Sequence, residues 1–501
     1  MRFRTSAASF LAVLLLSSGA PAGAQEQQRP APHGGVLSLL PLPSVTQHSI
    51  ALPGGETLAY EAKAGTLALL GGAGEITAEI FYTFYKLKPE PGRRPVERPV
   101  TFVFNGGPGA ASAYLHLGAL GPRVLATGEG GEFLPPPQRL EDNPDTWLGM
   151  TDLVFVDPGG TGYSRVAPGQ EERNFWGVNQ DASALGAFIR LFLQGEERTR
   201  SPLYLVGESY GGFRAALLAK TLQEDVGIAP RGIVLVSPAI ELNFVRGDDL
   251  QPLTWALTLP SMAAVKLSRE GVTGAAFDRR LAQAERYALS DYLVALAGGL
   301  EEGGRAASGE VAQLTGLPLP LVEKHFARIP AEVFAKETAR DSREVLSLYD
   351  GTIAGPDAWP QSPRLGPDAV LDQSVPVLTS AFVDYARNEL NFRTSVSYRL
   401  LNREASRQWD YGARQEFNGV LDDLQDARAL NPSLDVLIVH GTADLVTPYM
   451  ASRYLVQQLP PLARAKPIRL ANYPGGHMMY FRDDSRAALK RDAVALYGPA
   501  S

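Results

Sequence analysis

LYLVGESYGGFRAALLAKTL, residues 203–222, combines an apolar strand, a short turn and a helix. Its centre, GESYG at 207–211, fits the pattern Gly-x-Ser-x-Gly between a buried strand and a helix. Such a turn lifts the serine oxygen clear of the sheet edge, and the helix N-terminus behind it favours developing negative charge. Ser209 is therefore predicted to be a nucleophile. The alternative is an ordinary strand-to-helix turn in which the serine caps the helix.

The segments around this turn repeat its strand–helix rhythm. Continuous apolar runs that end in Gly or Pro turns occur at 99–107, 151–160 and 232–238, which suits strands buried on both faces. Residues 179–194 have apolar side chains at helical spacing. This β-α-β-α-β alternation predicts an α/β fold with a mostly parallel central sheet and helices on both faces.

Two further regions frame this core. Strand-like runs at 56–62, 65–70 and 75–87 are separated by Gly and Lys-Ala-Gly breaks, which predict antiparallel pairing. After the core the rhythm gives way to a long stretch rich in Leu, Ala, Arg and Glu, and strand-like runs return at 434–441 and 467–476. One sheet interrupted by a mainly helical insertion accounts for this order.

The predicted organisation follows from these patterns. Residues 1–24 are a signal peptide, and 25–45, rich in Gln, Pro and Gly, are a linker. The α/β core consists of 46–240 and 431–501, and a helical cap insertion, 241–430, separates its two parts.

The N-terminus has the features of a secretory signal in the usual order. MRFR is basic, AASFLAVLLL is apolar, and AGA at 22–24 offers small residues for cleavage after Ala24. A membrane anchor is the alternative, although the apolar run is short for spanning a bilayer. We therefore expect an exported protein, in the bacterial periplasm or outside the cell, with no transmembrane segment after signal removal.

Composition narrows the chemistry. The formal charge is -7 at pH 7, from 47 Lys and Arg against 54 Asp and Glu, which argues against nucleic acid as a partner. The chain has no cysteine, so thiol catalysis, Cys-ligated metals and disulfides are excluded. Acyl transfer by a serine needs no metal or cofactor, and we predict none. The oligomeric state has no signature in the sequence.

A serine nucleophile needs a base and an acid that orients the base. On a sheet of this kind the acid and then the histidine follow the serine in sequence, on loops after later strands. His477, in YPGGHMMY, is the predicted base, and Asp444, in VHGTADLVTPY, is the predicted acid. The alternatives are His440 as the base and a plain turn-forming role for Asp444.

Acyl transfer also needs two N–H donors aimed at the developing oxyanion. One normally belongs to the residue after the nucleophile, here Tyr210. The loop FNGGPGAASAY at 104–114 is the candidate for the other, because its glycines let the backbone approach a substrate and Pro108 stiffens the turn. A plain Gly/Pro turn is the alternative.

Several of these stretches, in this order, resemble the serine carboxypeptidases, peptidase family S10. They are FNGGPGAAS, LVFVDPGGTGYS, LVGESYGG, VHGTADLVTPY and GGHMMY, and they span residues from about 100 to 480. The resemblance implies an α/β-hydrolase fold and a serine-type carboxypeptidase that releases C-terminal residues from peptides through an acyl-enzyme.

The resemblance also implies three groups of site residues. They are the triad Ser209, Asp444 and His477, the oxyanion hole formed by the N–H groups of Gly107 and Tyr210, and a site for the substrate's C-terminal carboxylate made by Asn105, Gly106 and Glu208.

Glu208 can bind a carboxylate only if one of the two groups is protonated. Burial and neighbouring negative charge raise a carboxyl pKa, so we expect Glu208 to donate a hydrogen bond to the substrate terminus and to favour acidic pH. A fold-stabilising hydrogen bond at the turn is the alternative. The chain departs from the family in having Ala110 where Cys is frequent, and no acid in 106–128, where eukaryotic members often supply a second acidic partner.

Two competing functions stay open at this point. Another hydrolase on the same fold, an esterase, lipase, aminopeptidase or acyltransferase, is the closest. Esterases more typically carry a His-Gly-Gly-Gly loop, which this chain lacks, whereas the acids of the insertion would suit an aminopeptidase. A non-catalytic binding protein on a hydrolase scaffold is the other, and the intact Ser, Asp and His argue against it.

Overall fold

The computed structural model describes residues 34–88, 98–246, 250–412 and 419–497. The predicted signal peptide and most of the predicted linker lie outside these ranges. The described end of that linker forms a 3-10 turn at Gly35–Leu39, and the first strand begins at Ser44.

The described strands are β1 (Ser44–Ala51), β2 (Thr57–Leu70), β3 (Ile76–Leu87), β4 (Val100–Phe104), β5 (Arg123–Leu125), β6 (Leu140–Asp142), β7 (Asp152–Val156), β8 (Arg165–Val166), β9 (Leu203–Glu208), β10 (Gly232–Val236), β11 (Glu344–Leu346), β12 (Ala354–Pro356), β13 (Asp435–Gly441) and β14 (Arg469–Tyr473).

The described helices are α1 (Ala113–Leu115), α2 (Val178–Gly195), α3 (Tyr210–Thr221), α4 (Asn243–Arg246), α5 (Pro252–Arg269), α6 (Gly274–Tyr287), α7 (Leu293–Ala297), α8 (Leu300–Thr315), α9 (Leu319–Lys324), α10 (Ala331–Thr338), α11 (Leu371–Asn388), α12 (Arg403–Gln408), α13 (Leu421–Leu430), α14 (Tyr449–Gln458) and α15 (Asp483–Tyr497).

Among the described residues, one ten-stranded sheet organises the molecule, in the order β1-β2-β3-β7-β4-β9-β10-β13-β14 with β8 against β3. Every neighbouring pair from β7 to β14 is parallel, and β1, β2 and β3 pair antiparallel. This mixed sheet with crossover helices confirms the predicted α/β-hydrolase fold. Because the parallel strands share one direction, their carboxyl ends meet at one edge, where ligands bind in such sheets.

Alternation along the central strands explains why helices cover both faces. In β4, Phe102 and Phe104 belong to the same apolar core as α2, α3 and α13, whereas Val103 belongs to the core that contains α11 and α15. Strands β4, β7, β9 and β10 are buried at every position. Continuous apolar runs are therefore the pattern that these strands require.

The break predicted around Lys63 is absent, because β2 runs without interruption from Thr57 to Leu70. Gly65 lies opposite Tyr82 of β3, and a Cβ at this glycine would lie 2.6 Å from Cβ of Pro43. The glycine therefore permits close packing of the chain before β1, and it does not form a turn.

The region between β10 and β13 is mainly helical. Part of it has a core of its own, built from α5, α8 and α10 with the hairpin β11–β12. Helices α11 and α13 instead pack on the two faces of the main sheet. No helix in the described part of the chain is both long and apolar enough to cross a membrane.

Candidate active site

Ser209 lies in a sharp turn between β9 and α3. Its backbone φ is 58°, in the left-handed region that costs a non-glycine residue free energy. The turn is too tight for neighbouring side chains, since a Cβ on Gly207 would lie 1.8 Å from the carbonyl oxygen of Gly211. The alternative role of Ser209 as a helix cap is wrong, because its side chain makes no capping hydrogen bond to α3.

The glycine loop after β4 packs directly on this turn. A Cβ on Gly106 would lie 2.7 Å from the carbonyl oxygen of Glu208 and 2.7 Å from the nitrogen of Tyr210. The next residue, Gly107, has a φ of 99°, which favours glycine. Backbone of the loop and of the turn can therefore approach this closely only because no side chain separates them.

Asp444 follows β13 and His477 follows β14, and their side chains are in direct contact. Oδ2 of Asp444 lies 2.8 Å from Nδ1 of His477, and both side chains are buried. Oδ1 accepts hydrogen bonds from the backbone N–H groups of Val446 (2.8 Å) and Thr447 (2.9 Å). The carboxylate is thus fixed by its own loop and presents one oxygen to the imidazole.

The alternative base, His440, has a different environment. It is buried within β13, and its Nε2 lies 2.8 Å from Oγ of Ser452 on α14. Burial lowers the pKa of His440 to about 4. These contacts are those of a structural histidine.

The pKa of the His477 imidazole is shifted in the opposite direction to that of His440. Burial disfavours the charged ring, but the carboxylates of Asp444 and Glu208 outweigh it and raise the pKa of His477 above its usual value. Such a ring is a stronger proton acceptor than an isolated histidine.

Glu208 is buried beside Asn105, the residue with which the family resemblance groups it. The Asn105 amide donates a hydrogen bond to Oε2 of Glu208, and its Oδ1 accepts one from the N–H of Leu115 at 3.0 Å. The hydroxyl of Tyr480 donates to Oε1 of Glu208 at 2.9 Å. Burial raises the pKa of Glu208 above its usual range, and the hydrogen bonds and the charge of His477 oppose this rise only in part.

A cavity of about 350 Å³ joins these groups. Gly106, Gly107, Glu208, Ser209 and His477 all contribute to its lining. This volume is within the range of small-molecule pockets, roughly 300–1,000 Å³. The structure therefore brings the predicted nucleophile, base and carboxylate-binding group to one cavity at the carboxyl edge of the sheet, with Asp444 behind the histidine.

The sequence missed residues that support this arrangement from the side. The hydroxyl of Thr447 donates to Oδ2 of Asp444 at 2.6 Å and lies 2.9 Å from Nδ1 of His477. Ser237, at the end of β10, donates from Oγ to the carbonyl oxygen of His477 at 2.9 Å. Thr447 lies in the motif VHGTADLVTPY and Tyr480 in GGHMMY, but the motifs alone do not indicate which carboxyl each hydroxyl binds.

The helical insertion holds the histidine loop as well. Oδ2 of Asp350 accepts a hydrogen bond from the N–H of Gly476 at 2.8 Å, and the carbonyl oxygen of Tyr349 accepts one from the N–H of His477. The Tyr349 ring meets the imidazole edge-on, with ring centroids 5.2 Å apart. No pattern in the sequence predicts these contacts, which join segments more than a hundred residues apart.

Residues 56–235 match the family model for serine carboxypeptidases. This part of the chain is similar to the serine carboxypeptidase family. The matched segment contains the glycine loop and the Ser209 turn, whereas Asp444 and His477 lie beyond it.

Two curated relatives of the family illustrate the extent of the similarity. Serine carboxypeptidase-like 19 of Arabidopsis thaliana is 28% identical over 207 residues, 38% of this chain and 41% of that protein. Pheromone-processing carboxypeptidase KEX1 of Komagataella phaffii is 33% identical over 129 residues, 25% of this chain and 18% of that protein. The chain thus spans less than half the length of these relatives.

A solved structure extends the comparison of the fold to most of the chain. The crystal structure of KEX1(delta)p, a prohormone-processing carboxypeptidase from Saccharomyces cerevisiae, has a TM-score of 0.54 and 13% identity. It covers 87% of this chain and 91% of that chain. This likeness supports the fold.

Proposed function

We propose that the protein is a serine-type carboxypeptidase that removes C-terminal residues from peptides through an acyl-enzyme. The observation that carries the proposal is the position of Glu208. Its carboxyl is buried, hydrogen-bonded to Asn105, and lines the same cavity as Ser209 and His477. A carboxyl group beside a serine nucleophile has a direct use if the substrate itself ends in a carboxylate.

In the proposed reaction, Nε2 of His477 takes the proton of the Ser209 hydroxyl as Oγ attacks the carbonyl carbon of the last peptide bond. Asp444 accepts the Nδ1–H hydrogen bond, which fixes the tautomer and stabilises the imidazolium. The imidazolium then gives its proton to the leaving amino group, and the C-terminal residue departs. Water, deprotonated by the same histidine, releases the acyl group from Ser209.

The proposed oxyanion hole consists of the N–H groups of Gly107 and Tyr210. The close approach of the glycine loop to the turn supports this assignment, because both backbone segments lie beside the nucleophile. The N-terminus of α3 adds a favourable field for the developing negative charge.

The proposed carboxylate site consists of Asn105, Gly106 and Glu208. The raised pKa of Glu208 supports a protonated side chain that donates its O–H to the substrate carboxylate. Asn105 and Tyr480 already donate to the two oxygens of Glu208. They orient the carboxyl group, so that its single proton is directed at a ligand.

We also propose that the protein is exported and that cleavage after Ala24 gives its mature N-terminus. The signal-like N-terminal sequence supports this proposal. Expression of the full chain in a bacterial host, followed by fractionation and N-terminal sequencing, tests it. An uncleaved protein in the cytoplasmic fraction would contradict it, and the fractionation also distinguishes periplasm from medium.

The decisive experiment compares one peptide in three forms: free at both ends, N-acetylated, and C-terminally amidated. A carboxypeptidase releases the last residue of the first two and is blocked only by amidation. An aminopeptidase is blocked by acetylation, and an esterase or lipase cleaves none of the three. Covalent labelling by a fluorophosphonate, lost in Ser209→Ala, separates an enzyme from a binding protein.

A further inference from the structure

Two arginines line the candidate active-site cavity from α12. Arg403 and Arg407 both contribute to its lining. They are spaced i and i+4, so they lie on the same face of the helix, one turn apart. Neither belongs to a motif that the family resemblance rests on, and both are exposed at the cavity.

The backbone of α12 is fixed to the glycine loop. The N–H of Asn402 donates to the carbonyl oxygen of Gly109 at 2.8 Å, and Oγ of Ser406 donates to the carbonyl oxygen of Pro108. The Asn402 side chain caps the helix by accepting from the N–H groups of Glu404 and Ala405. The helix that carries the two arginines is therefore fixed to the glycine loop, which packs on the nucleophile turn.

The cavity lining includes two guanidinium groups and one carboxyl group. Arg403 forms an ion pair of 2.5 Å with Asp372 of α11, while the salt bridges of the described residues include none for Arg407. Glu208 is the carboxyl group in the cavity lining, and its two oxygens already accept hydrogen bonds. An exposed guanidinium in the lining, with no salt bridge among the described residues, favours ligands that carry additional negative charge.

We propose that Arg403 and Arg407 make this site selective for peptides that carry an acidic side chain in one of their last two residues. The inference rests on the proposed carboxypeptidase activity and names its substrate class. The C-terminal carboxylate occupies the Asn105 and Glu208 end of the cavity, and the acidic side chain reaches the guanidinium groups on α12.

The size of the effect follows from exposure. Ion pairs with exposed partners contribute roughly 0.2–1 kcal/mol, so each arginine changes kcat/KM for an acidic substrate by about 1.4- to fivefold. The contact exists in the bound substrate and in the transition state alike, so the change falls mainly on KM. Salt screens exposed charges, so the preference declines as ionic strength rises.

Matched peptides with free C-termini test the inference. Glu is compared with Gln at the last and at the penultimate position, at low and high salt, for the wild-type protein, Arg407→Gln, Arg407→Lys and the Arg403→Gln/Arg407→Gln double variant. Arg190→Gln, an exposed arginine on α2 outside the cavity, is the control. We expect a Glu-over-Gln preference at one position in the wild type and the control, retained in Arg407→Lys and lost in the double variant.

Equal rates for the Glu and Gln peptides in the wild-type protein at low salt would overturn the inference, whatever the variants do. The proposed function would then stand, because both peptides would still lose their last residue. Failure to release the last residue of any free peptide would instead overturn the proposed function. A preference for Glu over Gln that is retained in a folded double variant would show that the two arginines do not cause it.

Discussion

The hydroxyl of Tyr480 donates a 2.9 Å hydrogen bond to Oε1 of Glu208, so the carboxyl before the nucleophile is held from the loop that carries the histidine. The two residues are 272 positions apart in the chain. A hydroxyl, and not a carboxyl, is the partner that Glu208 receives from the histidine loop.

Replacing Tyr480 by Phe should move the alkaline decline of kcat/KM to higher pH. The proposed substrate binding needs a protonated Glu208 side chain. The contribution of Glu208 to kcat/KM is therefore present below its pKa and is lost as pH rises through that pKa. The Tyr480 hydrogen bond stabilises the charged carboxylate, and without it the pKa of Glu208, already raised by burial, rises further. A pH profile of kcat/KM on a peptide with a free C-terminus measures the shift.

Tyr454→Phe is the control for this change, since Tyr454 lies on α14 and packs on Phe244, away from the cavity. The proposal for Glu208 predicts that the pH profile of kcat/KM for Tyr454→Phe matches that of the wild type. An alkaline limb of Tyr480→Phe that stays in place or moves to lower pH would contradict the assignment.

Replacing Asp444 by Asn should lower kcat by about 10⁴ with little change in KM, because the amide stabilises the wrong imidazole tautomer. Steady-state kinetics on the free peptide measures this, and circular dichroism checks the fold. Asp435→Asn is the matched control, because Asp435 stands at the opposite end of β13. Comparable losses in both variants would show that Asp444 acts through the fold and not through His477.

Replacing Asp350 by Asn should lower kcat through the histidine loop. The carboxylate accepts from Gly476 on one oxygen and from the N–H and hydroxyl of Thr352 on the other, and an amide can accept on only one side. A buried donor left unpaired costs about 1–3 kcal/mol, so kcat should fall by about five- to 160-fold while KM changes little.

The control for Asp350 is Asp225→Asn, an exposed change that should leave kcat unaltered. Near-UV circular dichroism, which reports aromatic packing, would register displacement of the Tyr349 ring beside His477. Wild-type kcat in the Asp350 variant would show that the insertion does not position the histidine.

Replacing Asp157 by Asn should flatten the pH dependence of stability. Burial raises the pKa of Asp157 to about 6, although the N–H and hydroxyl of Ser112 both donate to its Oδ1 at 2.8 Å. The pKa of Asp157 is higher in the folded than in the unfolded protein. The contribution of the protonated carboxyl to the free energy of unfolding is therefore complete below about pH 4 and is lost as pH rises to about 6. The loss amounts to about 3 kcal/mol by linkage.

Urea unfolding of wild type and Asp157→Asn between pH 4 and 8 checks this expectation. The difference between their free energies of unfolding should change in favour of the variant as pH rises to about 6, and then level off. A difference that is constant across this range would show that the buried carboxyl is ionised in both states. Asp225→Asn again gives the surface reference.

The order of strands and the position of the serine follow from local pattern. Strands β4, β7, β9 and β10 are buried on both faces, so their apolar runs are continuous and easy to recognise. The exception is β2. Its Gly65 predicts an interruption of the strand from the local sequence, but the strand is continuous and the glycine provides room for Pro43. Local sequence does not encode which distant segment will fill such a space.

The sequence by itself determined a serine turn, a glycine loop, and a later acid and histidine, because each depends on backbone geometry that only certain residues next to a strand can adopt. Only the tertiary structure decided which side chains meet: Tyr480 with Glu208, Thr447 with Asp444, and the arginines of α12 with the cavity. These contacts join loops at one sheet edge from distant parts of the chain. A short-range pattern carries no information about a hydrogen bond formed across the fold.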